Sequence, residues 1–252
     1  MQFQDQTILV TGASRGIGRA IAHAFAAEGG RIAIHYRHNR EAAEATRAAL
    51  PDGPHRLFAA DVARPDQCAR LVNDVVAQMG ALHVLVNNAG IFQEHSLPDV
   101  DYATWQAAWT EILQVNLSGP ANLMYCAAQQ MIRQGGGRIV NISSRGAFRG
   151  EPEAPAYGAS KAGLNAMSQS LAKKLAPHGI FVGVVAPGFV ETDMADKHLS
   201  GPQGDAIRNQ SPLGRVARPE EVARAARFLA APGTEFMTGA IIDVNGASYL
   251  RT

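Results

Sequence analysis

Tyr157 and Lys161 are the residues whose types and spacing most directly suggest chemistry in this sequence. Residues four apart on a helix share one face, and a phenol beside an ammonium can transfer a proton. A free tyrosine has a pKa near 10, so acting as a base near pH 7 requires the phenolate to be stabilised by ~3 units, or ~4 kcal/mol. A cation ~4 to 6 Å away supplies roughly 1 to 3 of those units. In the reducing direction the neutral phenol would donate its proton.

Such a pair also occurs on solvated helix faces, so the interpretation depends on the rest of the chain. Near the amino end, an apolar run from Thr7 to Val10 reads as a buried strand. Glycines follow at positions 12, 16 and 18, and a helical pattern begins directly after them. Strand, glycine-rich turn and helix form the arrangement that aims backbone N–H groups at a pyrophosphate.

Short apolar runs alternate with alanine-rich helical segments along the whole chain, with no linker that would divide it. This alternation predicts an α/β fold, a single-domain Rossmann-type doubly wound parallel sheet with helices on both faces. Ligands of such sheets bind beyond the carboxyl ends of the strands, so motifs that follow different strands should converge there. The predicted strands are Thr7 to Val10, Arg31 to Tyr36, Arg56 to Ala60, Val84 to Asn87, Arg138 to Ile142, Phe181 to Ala186 and Ala240 to Val244.

Bulk properties restrict the classes of protein that the chain can belong to. Its 252 residues are 46% hydrophobic and 18% charged, which suits one domain spanning 1–252 with a well-buried core. A net charge of +1 argues against nucleic acid or a membrane surface as the main partner. We expect a cytoplasmic protein, because no apolar run approaches ~18 residues and the first residues lack a signal-peptide pattern. Two cysteines argue against a disulfide framework, and the histidine spacing suggests no catalytic metal.

The T-G-x-x-x-G-x-G turn, Asn87 to Gly90, Asn116, Ser144, Tyr157, Lys161 and the pair Pro187-Gly188 together resemble the short-chain dehydrogenase/reductase superfamily. The resemblance covers essentially the whole chain and implies a catalytic tetrad. In it, Ser144 would hydrogen-bond the substrate carbonyl, and Tyr157 would exchange the proton. Lys161 would hold the nicotinamide ribose and stabilise the phenolate, and Asn116 would retain a water for a proton relay. A kinking or capping asparagine is the alternative for Asn116.

Cofactor choice is suggested at two places. The second strand ends with Tyr36 and Arg37, where NAD-dependent members of the family carry an acid, and Arg15 lies at a helix N-terminus, where a cation is disfavoured. Arg15 and Arg37 would clamp the 2′-phosphate of NADP(H), unless both are merely solvated. Asp61 resembles the family's adenine-binding acid, with a helix cap as the alternative. The resemblance implies cofactor contacts from Gly12, Ser14, Arg15, Gly16, Ile17, Gly18, Tyr36, Arg37, Asp61, Val62, Asn88, Ala89, Gly90, Tyr157, Lys161, Pro187, Gly188, Val190 and Thr192.

The motifs look most like 3-oxoacyl-[acyl-carrier-protein] reductases, which implies hydride transfer between NADP(H) and a carbonyl or secondary alcohol. Arginines that would meet an acidic carrier are replaced by Gly135 and His178, although Arg133, Lys173 and Lys174 lie nearby. The substrate is therefore a small carbonyl or alcohol compound, either acyl-carrier-bound or free. An NADP-dependent dehydrogenase of sugars or cyclic alcohols and a non-catalytic NADP-sensing protein remain alternatives.

Two further expectations concern the surface. Residues 189–211 turn polar and contain glycine and proline, which suits a lid over the substrate or an ordinary surface excursion. The helix that carries Tyr157 has small residues at Ala159, Ala162, Gly163 and Ala166, which permits close approach of a second helix. Family members pair this helix in dimers and tetramers, so we expect a homo-oligomer.

Overall fold

A seven-stranded parallel sheet forms the centre of the computed structural model, which describes residues 1–251 apart from the side chain of Lys197. The strand order is β3-β2-β1-β4-β5-β6-β7, with the order reversing at β1 and β4. This confirms the doubly wound sheet. The strands are β1 (Thr7–Val10), β2 (Arg31–Tyr36), β3 (Arg56–Ala59), β4 (Val84–Asn87), β5 (Gly137–Ile142), β6 (Ile180–Pro187) and β7 (Ile241–Val244).

Every residue of the central strands β1 and β4 is buried, because helices cover the sheet on both faces. The predicted strands match the observed ones to within one residue at each end. The helices are α1 (Gly16–Ala26), α2 (Arg40–Ala49), α3 (Pro65–Met79), α4 (Tyr102–Leu113), α5 (Gly119–Gln134), α6 (Gly146–Arg149), α7 (Pro155–Leu175), α8 (Asp193–Leu199), α9 (Gly204–Arg208) and α10 (Pro219–Ala230).

Two apolar clusters hold the helices against the sheet. On one face, Phe25 of α1 and Val222 of α10 pack with Ile8 and Ile34 of the strands. On the other face, Leu71 of α3, Leu123 of α5 and Leu164 of α7 pack with Leu9 and Leu85. Alternate residues of one strand thus enter opposite clusters, as the side-chain period of two requires.

Three irregular features lie near the carboxyl edge of the sheet. A π-helical turn, Gln114–Ser118, joins α4 to α5, and such turns concentrate at functional sites. Two short helices, α8 and α9, occupy most of the polar segment 189–211. The assignment of that segment as a lid stays a prediction.

Of the described helices, none is both long enough and apolar enough to span a membrane.

Candidate active site

The carboxyl ends of the parallel strands bring the predicted motifs to one edge of the sheet. The glycine-rich turn follows β1, Asn88 to Gly90 follow β4, Ser144 follows β5, and Gly188 follows β6. The backbone continues the ladders beyond the strands: the N–H of Thr11 donates to the Val86 carbonyl, and that of Ser143 donates to the Val185 carbonyl. The convergence expected from the sequence is therefore present.

Tyr157 lies near the start of α7, and the hydroxyl of Ser144 faces it from the end of β5. Burial raises the pKa of Tyr157 to about 12, a hydrogen bond with the Ser144 side chain opposes that rise, and the nearby charge of Glu151 adds to it. The phenol is therefore neutral at pH 7. Burial therefore sets the direction of the pKa shift in the cofactor-free protein, although the Lys161 ammonium lies 5.7 Å from the ring centroid.

Lys161 is buried, with its side-chain nitrogen aimed at the ends of β4 and β5. Its Nζ donates to the Ile142 carbonyl at 2.9 Å, and burial lowers the pKa of the ammonium to about 8. An ammonium has three donors, so two remain for other partners. A Cβ on Gly90 would lie 3.5 Å from Nζ and 3.3 Å from Oδ1 of Asn116. Gly90 thus leaves open the space beside both side chains.

Asn116 lies in the π-helical turn and is fully buried. Its Oδ1 accepts from the Ile91 N–H at 2.9 Å, and its Nδ2 donates to the Ile91 carbonyl at 2.9 Å and to Ser160 Oγ at 3.4 Å. The side chain therefore ties the helix to the segment after β4. Both the role of Asn116 in retaining a water and the alternative of a kinking or capping asparagine stay predictions.

The glycine-rich turn requires its glycines for two different reasons. Gly12 and Gly16 have φ angles of +65° and +52°, which other residues rarely adopt. Gly18 has no room for a side chain, because a Cβ would lie 2.2 Å from the Gly12 carbonyl oxygen. The turn, which includes Ser14, leads into Gly16 and Ile17 of α1, and no side chain caps the N–H groups of the first helical turn. This arrangement suits a pyrophosphate.

Residues after β4 hold the turn in place. Asn88 Nδ2 donates to the carbonyls of Thr11 at 2.9 Å and Gly12 at 3.2 Å. In return, Thr11 Oγ1 accepts from the backbone N–H groups of Asn88 at 2.9 Å and Ala89 at 3.0 Å. Asn88 and Ala89 thus position the glycine-rich turn.

The two arginines predicted to bind a 2′-phosphate lie near this edge, and each pairs with an acid. Arg37 follows the buried Tyr36 and contacts Asp61 at 3.1 Å, whereas the exposed Arg15 contacts Asp193 of α8 at 3.4 Å. Asp61 also accepts from the Ala63 N–H at 3.0 Å. Asp61 does not cap α3, whose N-cap is the later residue Arg64, and Val62 beside it is buried.

The segment after β6 passes from the sheet to the glycine-rich turn. The Pro187 carbonyl accepts from the Arg145 N–H at 2.8 Å, and a Cβ on Gly188 would lie 3.1 Å from Asn245. Val190 is buried and pairs with Ala217 in an isolated bridge. Thr192 lies against the turn, since its methyl carbon would be 3.2 Å from a Cβ on Gly16.

An aromatic group around Tyr157 was missed by the sequence analysis. The Phe92 ring packs edge-on against Tyr157 with centroids 5.1 Å apart, and His198 of α8 packs against Phe92 at 5.9 Å and Phe189 at 6.4 Å. His198 also approaches Glu94 at 3.8 Å. These residues come from distant segments with no shared motif, so no local signal could have found them.

Arg145 directly follows Ser144 and is a second residue that the sequence analysis missed. Its guanidinium is buried, stacks over Phe189 at 5.1 Å and donates to Ser248 Oγ and Gln210 Oε1, each at 2.5 Å. Burial lowers its pKa to about 10. The contacts fix the peptide beside Ser144 to the segments at 210 and 248.

The fold and the site together define a dinucleotide-binding α/β oxidoreductase, and comparisons with known proteins agree. A family model described as enoyl-(acyl carrier protein) reductase matches residues 12–247. A 3-oxoacyl-[acyl-carrier-protein] reductase of Staphylococcus aureus is 39% identical over 247 residues, covering 97% of this chain and 98% of its own. One from Synechocystis is 37% identical, covering 97% of each chain.

Solved structures show the same likeness. A short-chain type dehydrogenase/reductase from Mycobacterium ulcerans superposes with a TM-score of 0.91 at 31% identity, covering 98% of this chain and 91% of its own. A dehydrogenase/reductase from Sinorhizobium meliloti gives 0.88 at 32% identity, covering 99% and 97%. The chain belongs to the short-chain dehydrogenase/reductase family. It is an oxidoreductase that uses a nicotinamide cofactor.

Proposed function

We propose that this enzyme reduces the keto group of a 3-oxoacyl thioester, or of a closely related ketone, with NADPH. The observation that carries the proposal is the cluster of Tyr157, Ser144 and Lys161, in which the buried Lys161 Nζ lies 5.7 Å from the Tyr157 ring centroid. This cluster lies at the same sheet edge as the glycine-rich turn. A proton donor and a dinucleotide site on one edge are what carbonyl reduction requires.

Each residue of the cluster has a part in the proposed reaction. When bound, the reduced nicotinamide would supply the hydride for the carbonyl carbon. The Ser144 hydroxyl donates a hydrogen bond to the carbonyl oxygen, and Tyr157 transfers its phenolic proton to that oxygen to give the alcohol. The two free donors of Lys161 hold the nicotinamide ribose, and its charge stabilises the phenolate left behind. Asn116 keeps the segment at Ile91 in place and retains the water of a proton relay.

The raised pKa of Tyr157 suits the phenol to its role as a proton donor. With a pKa of about 12, the phenol is protonated at pH 7 and ready to act as an acid. Oxidation of an alcohol would need the phenolate, which Lys161 and a bound oxidised nicotinamide would have to stabilise.

NADPH is proposed over NADH from the residues at the end of β2. The buried Tyr36 stands where an acid would bind the ribose hydroxyls of NADH, and Arg37 follows it. Arg37 contacts Asp61, and Arg15 in the glycine-rich turn contacts Asp193. The Arg15 side chain is 67% exposed and the Arg37 side chain is 48% exposed. Guanidinium groups as exposed as these can exchange a carboxylate for a phosphate.

The 3-oxoacyl substrate is proposed from the names of the relatives and from the surroundings of Tyr157. The relatives from Staphylococcus aureus and Synechocystis are named for 3-oxoacyl-[acyl-carrier-protein] reduction. Phe92 packs against Tyr157, and His198 joins Phe92 to Phe189, so this aromatic group offers an apolar surface that suits an acyl chain. Gly135 and His178 bring no fixed charge for an acidic carrier, so we propose that free thioesters are reduced nearly as well as carrier-bound ones.

The test follows NADPH absorbance with acetoacetyl and crotonyl thioesters, diketones, sugars and cyclic ketones. Tyr157→Phe keeps the ring and removes the proton, so we expect turnover of the acetoacetyl thioester to fall at least ~100-fold with NADPH affinity unchanged. Tyr125→Phe, on the exposed face of α5, is the matched control and should have wild-type rates. Wild-type turnover in Tyr157→Phe would contradict the mechanism.

The other substrates separate the remaining possibilities. Reduction of the crotonyl thioester alone would favour the enoyl reduction named by the family model. Turnover of only a sugar or cyclic ketone would replace the thioester proposal. The exposed pair Lys173 and Lys174 is changed to Glu in one variant. If that variant selectively loses a large advantage of the carrier-bound substrate, the carrier is the natural partner.

A further inference from the structure

His35 is a fully buried imidazole that the proposed reaction does not use. It lies on β2, next to Tyr36, and is 2% exposed. Its Nδ1 accepts from the backbone N–H of Gly12 at 3.1 Å, and its Nε2 lies 3.0 Å from the Ala60 carbonyl oxygen. Its own carbonyl accepts from the Ala13 N–H at 2.9 Å. His35 therefore contacts both the glycine-rich turn and the segment before Asp61.

These contacts are compatible with one form of the ring. A backbone N–H can only donate, so Nδ1 must carry a lone pair toward Gly12. A carbonyl can only accept, so Nε2 must carry the proton toward Ala60. The neutral Nε2-protonated tautomer satisfies both partners, whereas a doubly protonated ring would oppose the Gly12 N–H. Burial also lowers the pKa of His35 to about 4.

The His35 imidazole lies where the ladders of β2 with its neighbouring strands end. The ladder between β1 and β2 ends at Val10 and Ile34, and that between β2 and β3 ends at Tyr36 and Ala59. Gly12 lies beyond the first ladder, where its φ of +65° turns the chain away from the sheet. Beyond the ladders, the imidazole adds a side-chain bond to Gly12 beside the backbone bond from the Ala13 N–H to the His35 carbonyl.

We propose that His35 is a positioning residue for the nicotinamide dinucleotide, since its ring holds the first glycine of the turn at a set distance from the Ala60 segment. The Ala60 carbonyl selects the tautomer, and the tautomer presents the lone pair that fixes the Gly12 N–H. The inference rests on the proposed placement of the pyrophosphate at the turn and of the adenine at Asp61 and Val62.

The chain contains a matched control for this contact. Nδ1 of His83 accepts from the Thr7 N–H at 2.9 Å, in the same kind of bond. Thr7 begins β1, so this bond lies at the opposite edge of the sheet from the glycine-rich turn. Removing the His83 bond should reduce stability without changing cofactor binding.

The experiment compares His35→Leu, His35→Gln, His35→Asn and His83→Leu by the dissociation constant of NADPH, measured by its fluorescence without substrate. Leu and Gln remove the acceptor near Gly12, so we expect NADPH binding to weaken roughly 5- to 10-fold, the size of one lost hydrogen bond. Asn places Oδ1 close to the position of Nδ1 and should restore affinity to within about 3-fold of the wild type. His83→Leu should bind NADPH normally.

Two further readouts separate positioning from a general structural effect. With the acetoacetyl thioester as substrate, His35→Leu should keep the kcat reached at saturating NADPH. Only its KM for NADPH should rise. The ¹⁵N shifts of His35 in the wild type should show a proton on Nε2 alone, unchanged from pH 8 to pH 5. A proton on Nδ1, or wild-type NADPH affinity in both His35→Leu and His35→Gln, would overturn the role. A wild type that binds neither NADPH nor NADH would overturn the proposed function and this role together.

Discussion

Lys161→Met should make the cofactor-free enzyme more stable while abolishing its activity. Burial lowers the pKa of Lys161 from 10.5 to about 8, so the ammonium is less favourable in the folded chain than in the unfolded one. At pH 7 both states carry the proton, and the shift corresponds to a cost of about 3 kcal/mol. Methionine has a similar length and no charge, so it removes that cost.

The substitution also breaks the 2.9 Å bond from Nζ to the Ile142 carbonyl. Leaving that buried acceptor without its donor costs about 1 to 2 kcal/mol. The net expectation is a gain of about 1 to 2 kcal/mol at pH 7, or a rise of about 2 to 8 °C in Tm for a chain of this size. The charge is therefore held at the site for function, at the expense of stability.

The pH dependence has a definite sign. Between its folded pKa of about 8 and its unfolded value of 10.5, Lys161 binds more protons in the unfolded chain, so this residue contributes a rise in stability with pH. Lys161→Met should lack this rise. Lys173→Met, on the exposed side of the same helix, is the control and should change neither Tm nor its pH dependence.

The assay is urea and thermal unfolding at pH 7 to 10, without cofactor and at one protein concentration. Activity and NADPH affinity of Lys161→Met are measured in parallel, and both should fall because the ribose loses its donors. A lower Tm than the wild type at pH 7 would refute the reasoning. So would a difference in stability between Lys161→Met and the wild type that does not shrink between pH 8 and pH 10.

Two other outcomes are expected from the cofactor site. Arg15→Ala and Arg37→Ala should each weaken NADPH binding roughly 10- to 150-fold and leave NADH unchanged, because each removes a charged hydrogen bond to the 2′-phosphate. Arg70→Ala, on the exposed face of α3, is the control, and equal wild-type affinities for NADPH and NADH would contradict the clamp. Gly18→Ala should destabilise the fold by about 1 to 3 kcal/mol and displace the turn, since its Cβ would lie 2.2 Å from the Gly12 oxygen. Unchanged NADPH affinity in that variant would show that the turn has room to move.

The sequence alone determined the strand and helix pattern and the convergence of the motifs. Central strands such as β1 and β4 are buried on both faces and therefore appear as continuous apolar runs. The pair Tyr157 and Lys161 could be found because a spacing of four on a helix is itself a statement about geometry. Gly12 and Gly18 could be found because a turn and a close approach both demand glycine.

Only the tertiary structure decided how these groups behave. The sequence suggested that Lys161 lowers the pKa of Tyr157, but burial decides the direction and raises it. Burial depends on every element packed around a group and leaves no mark at the residue itself. Likewise, the contacts of Phe92 with His198 and of His35 with Gly12 join residues that are far apart in the chain. Such contacts follow from the packing of whole elements, which no local spacing records.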